Sequence, residues 1–86
     1  MKTVSYHSTV GLNAVVPGYG TRKLVRIAHD KQENGTWKLY VESGHTLGAL
    51  DRCGTLILTD DEIQPLFSEN NIDEFRALAG LFGITV

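Results

Sequence analysis

Two strand-like runs flank Glu33-Asn34-Gly35, and their patterns leave little freedom in how they pair. Trp37, Leu39 and Val41 alternate with Lys38, Tyr40 and Glu42, the period of two that sends alternate side chains to opposite faces of a strand. The partner run is Leu24–Lys31. Read as a two-residue type I′ turn, Asn34-Gly35 would pair Leu39 with Asp30 and Val41 with Ala28, leaving Val25 and Ile27 on the face opposite Trp37, Leu39 and Val41. A three-residue loop, Glu33-Asn34-Gly35 with Gly35 left-handed in a G1 bulge, instead pairs Ile27 with Val41 and His29 with Leu39. It also sets Arg26 opposite Glu42 and Asp30 opposite Lys38. Each opposite-charge pair contributes about 0.2–1 kcal/mol. The apolar face and the charge pairs select the same register, and a one-residue slip would invert every side chain.

The remaining elements follow around this hairpin. Thr3–Thr9, rich in Thr, Val and Tyr, predicts a strand, and Leu12–Val16 a second short one before the turn Pro17-Gly18-Tyr19-Gly20. Ser43-Gly44 predicts the end of the hairpin's second strand. A further short strand is expected over His45–Asp51, a turn at Arg52-Cys53-Gly54, and a buried apolar run over Thr55–Leu58. Thr59-Asp60-Asp61-Glu62 matches a capping box, and Ile63, Leu66 and Phe67 form one helical face. Pro65 conflicts with a continuous helix starting at Thr59, so the helix either begins nearer Asp61 or is kinked. Asn71, with Glu74 three residues on, signals a second helix whose apolar stripe is Ile72, Phe75, Leu78, Ala79 and Phe82, closed by Gly83. Ile84–Val86 is expected to dock back on the fold. The fold class is α+β: an antiparallel sheet of three to five strands with two short C-terminal helices packed on one face, in a single domain over 1–86.

Charge placement bears on partners. The net charge is −2, but residues 1–52 carry +3 and residues 53–86 carry −5. An acidic C-terminal third disfavours contact with a phosphate backbone there, and acids crowd where helix N-terminal turns are expected. With 42% apolar and 21% charged residues the chain has a globular composition. One cysteine, Cys53, excludes an intrachain disulfide and fits a reducing compartment. No apolar signal segment follows Met1-Lys2, so a cytoplasmic protein is expected, without a membrane span.

Candidate chemistry is sparse. His7, His29, His45 and Cys53 lack the close spacings of structural zinc sites, so no metal is expected, and His29 reads as a partly buried sheet residue. Cys53 reads as a small apolar residue at a turn. Gly11, Gly18 and Gly20 lack the strand-to-helix context of a phosphate cradle. No catalytic constellation and no cofactor site emerge, so the chain is not expected to be an enzyme. Tyr19, Arg22, Lys23 and Arg26 form a small basic-aromatic cluster of the kind that holds single strands, although strand alternation divides it and the net charge opposes it. Tyrosine and arginine supply interface contact area with a polar tip. Tyr6, Tyr19, Arg22, Arg26, Tyr40 and Glu42 are therefore the candidate partner-binding residues, with a sheet face built around Tyr6, Tyr40 and Arg26.

The opening Met1-Lys2-x-x-x-Tyr6-x-Ser8-Thr9-x-x-Leu12-Asn13 resembles the N-terminus of a small phage anti-CRISPR family that inhibits the type I-F Cascade surveillance complex. The order of elements, strands followed by two helices, is also similar, as is Leu47-Gly48-Ala49 before a capped helix. The resemblance implies a non-enzymatic, phage-encoded inhibitor in the host cytoplasm. It would dock its sheet face on a subunit of the complex and block hybridisation of target DNA to the guide RNA. Tyr6 matches a contact tyrosine of that family. Tyr19 lies near the position of a second, and the family's acidic contact residue has no clear match. Two other readings stand beside this one: a small nucleic-acid-binding module, and an oligomer-forming accessory protein in which the apolar tail Leu81–Val86 pairs with a second copy.

Overall fold

The computed structural model describes residues 1–8 and 13–86. Its centre is the hairpin of β4 (Leu24–Lys31) and β5 (Trp37–Thr46), in the register expected from the sequence: Ile27 faces Val41, His29 faces Leu39, Arg26 faces Glu42 and Asp30 faces Lys38. The loop is the three-residue one. The Gln32 amide donates to the Thr36 carbonyl across 2.8 Å, and Gly35 takes a φ of 84°, which a residue with a Cβ adopts only at a cost. Asn34 closes the turn by accepting from the Thr36 amide and hydroxyl through Oδ1.

Two further strands complete a four-stranded antiparallel sheet in the order β1-β4-β5-β6, with β1 over Lys2–His7 and β6 over Ala49–Leu58. A separate two-stranded ribbon pairs β2 (Ala14–Val16) with β3 (Gly20–Arg22). β1 and β2 correspond to the expected strands Thr3–Thr9 and Leu12–Val16, with β1 beginning one residue earlier and Ser8 and Asn13 outside the strands. Thr9, Gly11 and Leu12 lie outside the described residues.

The region after Ser43 differs from expectation. Gly44 does not end the strand: β5 runs on to Thr46, turns over Leu47-Gly48, and returns as a ten-residue strand. Arg52-Cys53-Gly54 is therefore strand rather than turn, with register shifts between Val41 and Glu42 and between Gly44 and Thr46. Thr55–Leu58 alternates exposed and half-buried residues and is not a buried run. The two glycines that look like chain breakers mark close approach. A Cβ on Gly44 would meet the Ala49 carbonyl oxygen, and one on Gly54 would come within 3.2 Å of the Phe82 ring.

Thr59 and Glu62 form the expected capping box, and α1 spans Asp60–Ile63. Pro65 is accommodated because the α-helix stops at Ile63 and continues as a 3₁₀ turn, Gln64–Leu66, with proline among its first residues. The Trp37 indole N–H donates to Asp60 across 2.9 Å, tying α1 to the sheet. This bond, with a second from Gln64, holds the Asp60 carboxyl below its ordinary 3.8. The Thr59 amide and then its hydroxyl hold Glu62 below 4.5.

Helix α2 (Asn71–Leu81) is capped one residue earlier than expected: Asn70 Oδ1 accepts from the amides of Ile72 and Asp73. Phe75, Leu78 and Ala79 enter the core as expected, whereas Ile72, in the first turn, is 62% exposed and borders a groove with Tyr6 and His7. After α2, Gly83 is left-handed at φ 72° and Ile84 is buried. Thr85 exchanges both backbone bonds with Val15, at 2.8 and 3.1 Å, so the tail docks back as expected.

Both helices lie on one face of the sheet. Val4, Val25, Ile27, Leu39 and Val41 point toward them and pack with Ile63, Phe75, Leu78 and Ala79, while Ala14, Val16 and Ile84 join from the ribbon and tail. No helix among the described residues is long and apolar enough to cross a membrane. Gly44→Ala is expected to lower stability by about 1–3 kcal/mol, because the added methyl must displace backbone. Gly48→Ala, with nothing within 4 Å of its Cβ position, is expected to leave stability nearly unchanged. Denaturant unfolding of the two variants side by side checks this contrast.

Candidate functional site

Because the helices occupy one face, alternation along β4, β5 and β6 leaves the other face uncovered. The registers place Arg26, Glu42 and Arg52 in one row and Ala28, Tyr40 and Thr55 in the next, followed by Asp30, Lys38 and Ile57. At the centre, the Tyr40 ring carries the Arg52 guanidinium at 4.5 Å and the Lys38 ammonium at 5.2 Å from its centroid. Contacts of this kind at exposed positions are worth about 0.5–1 kcal/mol each, and they hold the ring in place. Ile57, 56% exposed, adds an apolar edge. The facing pairs Arg26–Glu42 and Asp30–Lys38 do not close to ion-pair distance. Asp30 lies 3.8 Å from the N-terminal ammonium, and among the described residues the side-chain ion pairs are Lys2–Glu74 and Arg22–Asp51, so Arg26, Lys38, Glu42 and Arg52 are in no ion pair.

The six candidate residues are divided by the structure. Arg26, Tyr40 and Glu42 share the open face. Tyr19 and Arg22 sit on the β2–β3 ribbon at its border: the Tyr19 hydroxyl donates to the Arg52 carbonyl at 3.2 Å, and the Arg22 guanidinium lies 5.1 Å from the Tyr19 ring. Arg22 Nη1 reaches Asp51 at 3.0 Å and donates to the Ser43 carbonyl at 3.5 Å, which fastens the ribbon to β5 and β6. Tyr6 is elsewhere. It is half-buried on the helix-covered side, stacked on Phe75 with ring centroids 5.6 Å apart. A face combining Tyr6 with Tyr40 and Arg26 is therefore corrected. Tyr6 shares the parity of Val4, which is buried in the core, and that parity was the available signal. Lys38 and Arg52 are the members that sequence reasoning missed; the supposed turn at Arg52-Cys53-Gly54 hid the latter.

A second constellation lies on the helix side, in an open cleft of about 810 Å³ lined by Lys2, His29, Trp37, Phe67 and Glu74 among others. His29 is only 3% exposed, more buried than expected, and neither ring nitrogen has a hydrogen-bond partner. Its ring lies against Phe67 at 5.0 Å and Trp37 at 5.9 Å, and those two meet edge-on at 5.2 Å. Glu74, 1% exposed, accepts from the Lys2 ammonium at 2.9 Å and from the Ser68 amide at 3.4 Å. The acid three residues after Asn71 thus ties a strand to a loop rather than completing a cap. Unpartnered buried polar groups cost about 1–3 kcal/mol each, so His29 is a local source of instability. His7, His29, His45 and Cys53 do not converge, and the described residues contain no cluster of three or more side chains able to hold a metal. Cys53 is half-buried in β6, with Sγ 2.9 Å from the Ser43 hydroxyl.

Burial pushes the His29 imidazole below its ordinary 6.5, against an opposing pull from Glu74 and with a smaller push in the same direction from Lys2. The folded chain therefore binds this proton less readily than the unfolded chain does. The associated stability is complete above pH 6.5 and is lost as pH falls through the folded-state value. His29→Leu is expected to remove this component while leaving the protein equally or more stable near neutrality, as checked by urea unfolding of both proteins at about pH 5 and about pH 8. No protein-family model, curated protein or solved structure matches this chain.

Proposed function

We propose that the chain is a non-catalytic protein that docks its open sheet face on a partner protein, and that it acts as a phage-encoded stoichiometric inhibitor of a CRISPR surveillance complex. The observation that supports the docking face is Tyr40 held between Arg52 and Lys38 on a sheet surface that no helix covers. A fixed aromatic ring flanked by a guanidinium and an ammonium group supplies contact area at little ordering cost. The resemblance of the N-terminal segment supports the identity of the partner, and the chain's C-terminal pair of helices accords with the element order of that family. The role of Tyr6 departs from it, since that ring packs on Phe75. On this reading the contact tyrosine is Tyr40, with Tyr19 at the rim.

A second reading has one observation in its favour. An aromatic ring flanked by Lys38 and Arg52 on an open sheet also suits a stacked base with its phosphates. Such binding weakens steeply with salt, whereas protein docking through the same face weakens less.

Tagged protein is expected to recover a surveillance-complex subunit from a bacterial lysate carrying an active type I-F system. Recovery should fall by at least about tenfold in a Tyr40→Ala/Arg52→Glu variant and persist in Tyr6→Phe, which keeps the stack on Phe75. Mass spectrometry of the captured proteins checks both. Recovery unaffected by the face substitutions, or capture of no subunit, would overturn the reading.

A further inference from the structure

The open sheet face does not involve His29, Trp37, Phe67, Lys2 or Glu74, which the fold gathers on the opposite side from four separate stretches of chain. From this gathering we propose that the cleft is a binding site for a small aromatic zwitterion, of the chemical class of the free aromatic amino acids. This inference is independent of the sheet-face reading.

Three features of the cleft select that class. Its inner wall is aromatic: Trp37 and Phe67 meet edge-on, with His29 against both, a surface for a planar ring rather than for an alkyl chain. Its polar lining carries both signs, with Lys2 and Lys31 on one side and Glu69 and the Lys2-paired Glu74 on the other. A ligand bearing one charge of each sign finds a cation and an anion along this lining, whereas a simple anion or cation finds only one complementary partner. Finally, His29 is more than nine-tenths buried with both nitrogens unpartnered. A neutral imidazole presents one N–H donor and one lone pair, which matches the carboxylate and ammonium of such a ligand. The fold itself gains nothing from this imidazole, because a leucine would pack among the same rings without a desolvated polar group.

The ring nitrogens are closed to solvent behind Phe67 and Trp37. Trp37 is fixed by its bond to Asp60, so the wall that gives way on binding is Phe67. That ring sits on the irregular segment 67–70, between the 3₁₀ turn and α2. Lys2, whose side chain is 55% exposed, keeps its bond to Glu74 and offers the remaining donors of its ammonium to the ligand's carboxylate.

The test is a titration of uniformly ¹⁵N-labelled protein with L-tryptophan and L-phenylalanine, followed by NMR. The chain has a single tryptophan, so the one indole N–H resonance reports directly on Trp37. Saturable shifts are expected at that resonance and at the amides of 29–31 and 67–69, with sub-millimolar affinity. Phenethylamine and phenylacetate, which each carry one of the two charges, should bind at least about tenfold more weakly. His29→Leu should abolish the shifts while its melting temperature stays equal or rises, which separates loss of the site from loss of the fold. Any of four results overturns the proposal: no saturable shift at millimolar ligand, equal binding of the singly charged analogues, shifts that persist in His29→Leu, or shifts confined to the open sheet face.

Discussion

The pairing of β4 with β5 fixes the rest of the molecule. Once Gly35 turns left-handed and Gln32 bonds Thr36, Ile27 must face Val41 and His29 must face Leu39. That register gives the sheet one apolar face, which recruits α1 and α2, and one charged face, which is left to solvent. Shifting the hairpin by one residue would exchange the two faces and leave the helices nothing to cover. Both candidate sites descend from this choice: the Tyr40 surface is the face the register turns outward, and the His29 cleft lies where the inward face runs past its covering helices.

The two faces differ in how their polar groups are held. On the open face, charges stand opposite one another without closing, and Tyr40 is positioned by cations over its ring. Water screens such groups, so they stabilise the fold little and stay accessible. On the covered face, Glu74 is almost fully enclosed and requires Lys2 beside it, while His29 is enclosed with no partner for either nitrogen. Removing one member of a buried charge pair is far more disruptive than removing a surface one. The helix side therefore carries the larger energetic consequences.

The β2–β3 ribbon and the C-terminal tail join these layers. Arg22 bridges to Asp51 and to the Ser43 carbonyl, and Tyr19 bonds the Arg52 carbonyl, so residues with the composition of a binding cluster serve mainly to pin the ribbon. Val15 and Thr85 exchange backbone bonds on the other side of the ribbon. The backbone groups of Val15 and Thr85 are thereby satisfied within the chain.

The central hairpin, its three-residue loop, the capping box at Thr59 and the burial of Phe75, Leu78 and Ala79 were legible because each depends on residues within a few positions of one another. Turn chemistry, period and capping act locally. The long β5–β6 hairpin was not legible: its turn, Leu47-Gly48, has no Asn-Gly or Asp-Gly pair to outweigh the glycines at 44 and 54, which mark close packing against Ala49 and Phe82 that only the folded chain brings about. The same holds for the sites. Sequence placed Arg26, Tyr40 and Glu42 on one strand face. Tertiary structure decided that Arg52 joins them, that Tyr6 belongs with Phe75, and that residues as far apart as 2, 29, 37, 67 and 74 line one cleft. Alternation along a strand tells which side chains share a face, but which face is covered depends on where distant elements pack, and that is settled by the burial of apolar area over the whole chain.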